Sequence, residues 1–212
     1  MAYRFSNYKA LATVYRRGID YLIRHQTNGC EDVLVMTPHG GKIENPTSAI
    51  AEEIAGQDYC FYAFEGNLSK DNLFELHIPS EQFDEPLALG LTARAMLVVA
   101  VHGRQDRGDG ETIWMGGRDT TSRQAIGAAL VEAGFKIDDD PPRFKGLDPR
   151  NICNRGKSGQ GVQLEIPATL RKKFIAGPDD RGRFVTAIRG AIACLTPLDS
   201  CWCGRSRDRP RV

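Results

Sequence analysis

Asp32-Val-Leu-Val-Met-Thr-Pro-His39-Gly-Gly41 is an apolar run that ends in His-Gly, and Met96-Leu-Val-Val-Ala-Val-His102-Gly103 repeats the arrangement. Runs with so little polar alternation read as strands covered on both faces, the habit of parallel sheets. Working outward, Tyr59 to Glu65, Leu73 to Pro79, Glu111 to Met115 and Val162 to Ile166 read as further strands. Helical patterns fall between them. Thr47 or Ser48 can cap a helix that runs to about Ala55 and stops at Gly56. Thr121 or Ser122 can cap another, with Ile126, Ala129, Leu130 and Ala133 on one face and Gly134 at its end. Ala168 to Phe174 and Arg183 to Leu195 complete the set, and the segment from Asp138 to Asp148, rich in Asp, Pro and Gly, reads as a loop. Strands alternating with helices predict a three-layer α/β/α domain around a mixed, mostly parallel sheet.

The chain has 212 residues, enough for one domain, expected over 1–197, followed by a basic, Cys-containing tail at 198–212. Its net charge of +1 gives the main body no basic stripe, which argues against a dedicated nucleic-acid binder. No stretch is long and apolar enough to cross a membrane, and the N-terminus carries no signal-peptide core, so synthesis in a cytoplasm is expected. In that setting the six cysteines default to reduced thiols, and Cys201-Trp-Cys203 lacks structural zinc spacing.

In an open α/β sheet, ligands bind beyond the carboxyl ends of the strands, so His39 and His102, both at such ends and both followed by glycine, can point into one crevice. Glu44 follows His39 across Gly-Gly-Lys-Ile, in a loop able to fold its carboxylate back. Two imidazoles and a carboxylate make a catalytic zinc set with the fourth position left for water. The alternative is a pair of structural histidines and a solvated glutamate. Glu165, inside the apolar run Gly161-Val-Gln-Leu-Glu165-Ile-Pro, reads either as a general base or as an exposed strand residue sharing a face with Gln163. Asn154 and Arg155 could grip a substrate carboxylate, as could Arg118 or Arg150, although arginines are common on surface loops. His77 could hydrogen-bond substrate or rest as a core histidine.

Taken together the motifs resemble those of the poly-γ-glutamate hydrolase family of phages and bacteria, whose members also carry the label of phage-related replication protein. The resemblance runs from about Tyr8 to Arg171. It rests on Asp20-Tyr21, Pro38-His-Gly-Gly-Lys-Ile-Glu44, Thr47-Ser48 with Ala51, Tyr62-Ala-Phe-Glu-Gly66, Leu76-His-Ile-Pro-Ser80, Phe83-Asp-Glu-Pro86, Val101-His-Gly103, Gly116-Gly-Arg-Asp119, Asn151-Ile-Cys-Asn-Arg155 and Gly161-Val-Gln-Leu-Glu165. It implies a zinc carboxypeptidase-like fold and one Zn²⁺ ion on His39, Glu44 and His102, with Glu165 as catalytic glutamate. It also implies a γ-linked glutamyl polymer as substrate, with Asn154, Arg155, His77, Lys42 and Arg118 as candidate substrate contacts. The enzyme is expected to be a monomer and to reach an external polymer on host lysis. The competing readings are a zinc amidase for small γ-glutamyl compounds or muropeptides, and a replication-associated DNA-binding protein. The chain lacks a Gly-x-x-x-x-Gly-Lys-[Ser/Thr] loop, which weakens the last.

Overall fold

The computed structural model describes residues 3–196. In chain order its elements are α1 (Tyr8–Ala12), β1 (Tyr21–Gln26), β2 (Cys30–Gly41), α2 (Thr47–Ala55), β3 (Tyr59–Gly66), α3 (Asn72–Glu75), α4 (Pro86–Thr92), β4 (Leu97–Arg104), β5 (Ile113–Gly116), α5 (Thr120–Glu132), β6 (Ile137–Asp138), a 3₁₀ turn (Ile152–Arg155), β7 (Val162–Pro167), α6 (Ala168–Ala176) and α7 (Pro178–Leu195). The strands form one sheet in the order β1-β3-β2-β4-β7-β5-β6. The β2, β3, β4 and β7 pairings are parallel, whereas β1 joins β3 and β5 joins β7 antiparallel.

Alternation along the strands divides the core into two layers. Val33, Val35, Val99, Val101, Leu164 and Ile166 point to one face and pack under α2, α5, α6 and α7. Leu34, Met36, Tyr62, Phe64, Val98 and Ala100 point to the other and meet α1, α4 and the segment around Ile78 and Phe83. Helices and turns on both faces make the expected α/β/α sandwich, and they explain why β2 and β4 read as almost wholly apolar.

The differences from the sequence reading have local causes. Leu73 to Pro79 is not a strand: the short helix α3 takes Asn72–Glu75, and the Asn72 side chain bonds the backbone N–H and C=O of Leu68. Neither Thr47 nor Ser48 caps α2, which begins at Thr47 itself. The two hydroxyls serve β2 instead, Thr47 reaching Thr37 and Ser48 accepting from the Gly41 N–H. Helix α5 is capped by Asp119, whose carboxylate accepts from the N–H of Ser122, so the helix starts ahead of Thr121. Helix α7 begins at Pro178, where proline suits the first turn. Cys60, Cys153 and Cys194 are free thiols, but Cys30 is disulfide-bonded, contrary to the uniformly reduced state expected. The tail at 198–212 lies outside the described residues.

Phe64 is fully buried, stacked on Tyr21 at 4.9 Å and edge-on to Phe83 at 5.8 Å. Truncation there opens a cavity between the sheet and the segment that carries His77. Phe64→Ala is expected to lower unfolding free energy by about 3–5 kcal/mol, read by urea denaturation.

Candidate metal and catalytic site

Strict alternation would send His39 to the α2 face, alongside Val35 and Thr37. A register shift between Thr37 and Gly40, three residues of β2 against two of β3, breaks the pattern. Such a bulge re-aims the side chain that follows it. His39 therefore turns to the opposite face, where its ring lies against those of His77 and His102. A side chain at Gly40 would collide with the Ser48 hydroxyl, so the glycine is what lets the strand bend this close to α2.

His39, Glu44, His102 and Glu165 are all buried, with 2%, 7%, 2% and 6% of their surface exposed. The Nδ1 atoms of His39 and His102 stand 3.0 Å apart. Glu44 Oε1 lies 3.5 Å from the first and Glu44 Oε2 3.7 Å from the second. His39 Nε2 is 2.7 Å from the Ile78 carbonyl, which can only accept, so the ring carries its proton there and turns the Nδ1 lone pair into the cluster. Glu44 is held by the Gly103 N–H at 2.7 Å. Burial alone would raise its carboxyl pKa, but the His39 and His102 imidazoles outweigh that effect and hold it below the usual carboxylate range. Burial lowers the His102 pKa, with Glu44 opposing the shift.

His77 stacks on His39 with ring centroids 3.7 Å apart and planes 23° apart, and Tyr3 stacks on its other face at 3.9 Å. Its Nε2 is 3.7 Å from Glu44, and its buried Nδ1 has no hydrogen-bond partner among the described residues. Burial and the neighbouring His39 push its pKa down to about 2, so the ring is neutral. His39, Glu44 and His77 offer one donor atom each within 4.8 Å of one another, and this buried cluster can bind a metal ion.

Glu165 sits on β7 in register with His102 on β4, on the face shared with Gln163. That face is covered, not exposed. Asn151 donates to the Gln163 side-chain oxygen at 2.9 Å, and the Gln163 amide donates to Glu165 at 3.0 Å, fixing the carboxylate. Burial and the charge of Glu44 raise the Glu165 pKa well above the usual range, against the pull of Arg104 and Arg171. Arg171 ties the site together, donating to the carbonyls of Ile166, Asn45 and Arg104, and its guanidinium fills the space that a side chain at Gly103 would need. These residues line a cleft of about 390 Å³ at the carboxyl ends of β2, β4 and β7.

The structure therefore brings His39, Glu44, His77, His102 and Glu165 together and leaves the remaining candidates elsewhere. Asn154 donates to the backbone carbonyls of Gly146 and Asp148 and accepts from the Arg118 N–H, a loop brace. Arg155 donates to the Phe83 carbonyl, and Lys42 to those of Asn67 and Leu68. The Arg118 side chain lines a separate cavity with Arg123 and Lys145. Arg150 is paired with Asp148. The cations that do line the cleft are Arg104, Arg107, Arg143 and Arg171. Arg104 carried a sequence signal, because two positions beyond His102 on a strand is the same face. Arg107, Arg143 and Arg171 carried none, being brought in by loops and a helix.

A three-layer α/β sandwich with a buried imidazole–carboxylate cluster at its strand ends, and a second buried carboxylate beside it, defines a class of metal-binding hydrolytic enzymes. Within that class the poly-γ-glutamate hydrolase family matches residues 5–187, and the chain belongs to it. The UPF0714 protein YmaC of Bacillus subtilis is 36% identical over 172 residues, covering 80% of this chain and 71% of YmaC. The structure of a bacteriophage poly-γ-glutamate hydrolase superposes with a TM-score of 0.86 at 28% identity, covering 92% of this chain and 98% of that one. The zinc-free apo form of YndL superposes with a TM-score of 0.81 at 30% identity, covering 90% of this chain and 98% of that one. No helix among the described residues is long and apolar enough to cross a membrane.

Proposed function

We propose that this protein cleaves the γ-glutamyl amide bonds of poly-γ-glutamate, with one zinc ion held by His39, Glu44 and His102 and with Glu165 moving the proton. The observation that carries the reading is the convergence of the two Nδ1 atoms and the Glu44 carboxylate at 3.0, 3.5 and 3.7 Å. Donors bonded at ~2.0–2.1 Å around a tetrahedral ion stand about 3.3–3.4 Å apart, so the spacing fits.

His77 is the rival third ligand, and ring geometry disfavours it. A nitrogen lone pair lies in its ring plane. The planes of His39 and His77 are stacked and only 23° apart, so they do not meet within bonding distance of either ring. His102 is inclined by 63° to His39, and its Nδ1 stands 3.0 Å from the Nδ1 of His39, so both lone pairs can be turned on one ion. His77, neutral and with one ring nitrogen unpartnered, suits donation to the oxygen that becomes negative during amide cleavage.

A zinc ion held by His39, Glu44 and His102 would supply Lewis-acid activation of water and of the scissile carbonyl. Glu165, held by Gln163, accepts the water proton and returns it to the leaving amine. Arg171 keeps the Glu44 loop against the ends of β4 and β7. The enzyme acts as a monomer in this reading, and an external polymer would be met on release by lysis. To test the reading, the purified protein is assayed for zinc and incubated with poly-γ-glutamate. Chain length on a gel should fall, stop falling after chelation, and fall again when zinc is restored. Unchanged cleavage by protein stripped of metal would contradict it.

A further inference from the structure

Four arginines line the cleft, and their commitments differ. Arg104 donates to the carbonyls of Gln105, Asp106 and Thr112 and lies over the Trp114 ring at 4.0 Å. Arg171 is spent on three other carbonyls. Arg107 and Arg143 are exposed and make no hydrogen bond or ion pair among the described residues. Arg107 follows β4 and Arg143 lies in the loop before the 3₁₀ turn, yet both belong to one wall, because the Arg107 guanidinium lies over the Phe144 ring at 5.8 Å. Four nearby acids are engaged elsewhere, Asp106 with Thr169, Asp109 with the N–H groups of Glu111 and Thr112, Asp140 with Lys145, and Asp148 with Arg150, whereas Glu81 lines the same cleft without such a partner among the described residues. The wall is linked to the catalytic carboxylate, since the Gln163 amide that donates to Glu165 also donates to the Phe144 carbonyl at 3.1 Å.

We propose that Arg107 and Arg143 form the subsite that binds the free α-carboxylates of glutamyl units on the Glu165 side of the scissile bond. The inference rests on the polymer reading above and assigns residues to its specificity. A γ-linked chain leaves one carboxylate pendant on every unit, so a substrate whose reacting amide lies over Glu165 must carry anionic groups along this wall. Glu81, which also lines the cleft, repels a polyanion. Two unengaged guanidiniums at the rim offset that repulsion, and each offers a planar fork to a carboxylate. Exposed charge pairs of this kind are modest one at a time and add along a polymer.

The test is steady-state kinetics on poly-γ-glutamate at low and high salt, for the zinc-loaded wild type, Arg107→Gln, Arg143→Gln, the double variant and Arg107→Lys. Arg16→Gln, an exposed arginine that does not line the cleft, controls for net charge. The expected result is a KM raised about three- to tenfold by each single Gln variant and more by the double, with a smaller effect on kcat. Salt should raise the wild-type KM, and the double variant should lose most of that dependence. Arg107→Lys should recover part of the loss. A merely structural role would not move the salt slope. If the wild type cuts the polymer while the double variant keeps the wild-type KM and salt slope, the subsite assignment is overturned alone. If the wild type leaves the polymer intact, the polymer reading falls and takes this assignment with it.

Discussion

Glu165→Gln should lower kcat on poly-γ-glutamate by about 10²–10⁴-fold, with zinc content and thermal midpoint close to wild type. Gln is nearly isosteric and keeps an oxygen to accept from Gln163, so the hydrogen bond that orients the side chain survives. What disappears is the ability to take and return a proton. The substitution also removes a carboxyl that burial and Glu44 drive well above its ordinary pKa, which relieves the fold of a costly group. A loss of activity without a loss of stability or metal therefore separates a catalytic role from a structural one. Retained activity would make Glu165 a buried strand residue and no more.

The second large effect is an inequality between two histidines that both pack against His39, His77 with ring centroids 3.7 Å away and His102 with ring centroids 4.8 Å away. His102→Ala should abolish stoichiometric zinc and cut activity by about three orders of magnitude or more, because the electrophile is lost with the ligand. His77→Ala should keep the zinc and lower kcat by about 10–100-fold, the loss of a supporting donor. The contrast follows from ring inclination, 63° for His102 against 23° for His77, and not from distance. Metal analysis of both purified variants reads it directly. Loss of zinc from His77→Ala, with zinc kept by His102→Ala, would reverse the assignment.

The parallel core was legible because β2, β3, β4 and β7 are largely buried on both faces and carry long apolar runs. Edge and capping features were less so. Strand β1, with Leu22, Arg24 and His25 exposed, shows no comparable run. The segment from Leu73 to Pro79 has strand-like composition, but Asn72 closes a local turn that makes it helical, and composition does not carry that hydrogen bond. In the site, His39 and His102 could be suspected from their positions at strand ends, and Glu44 from its spacing after His39 and the family resemblance, although alternation alone would have turned His39 the wrong way. The bulge that corrects it is marked only by Gly40-Gly41. Period-two reasoning put Gln163 and Glu165 on one face and could not tell whether that face met water; the Phe144 loop covers it. The basic residues were the least readable. Lys42, Asn154, Arg118 and Arg155 lie near the right motifs in sequence, yet their polar atoms bond backbone groups or face another cavity. Arg107 and Arg143 sit in unremarkable loops that only the tertiary fold brings to the cleft.

The most direct measurement is anomalous scattering at the zinc edge from crystals of the zinc-loaded protein. The account predicts one peak in the cleft, about 2.0–2.2 Å from His39 Nδ1, His102 Nδ1 and a Glu44 carboxylate oxygen, with Glu165 beside it and His77 outside bonding range. A peak bonded to His77 and not to His102, or a cleft with no peak in protein that cleaves poly-γ-glutamate, would contradict it.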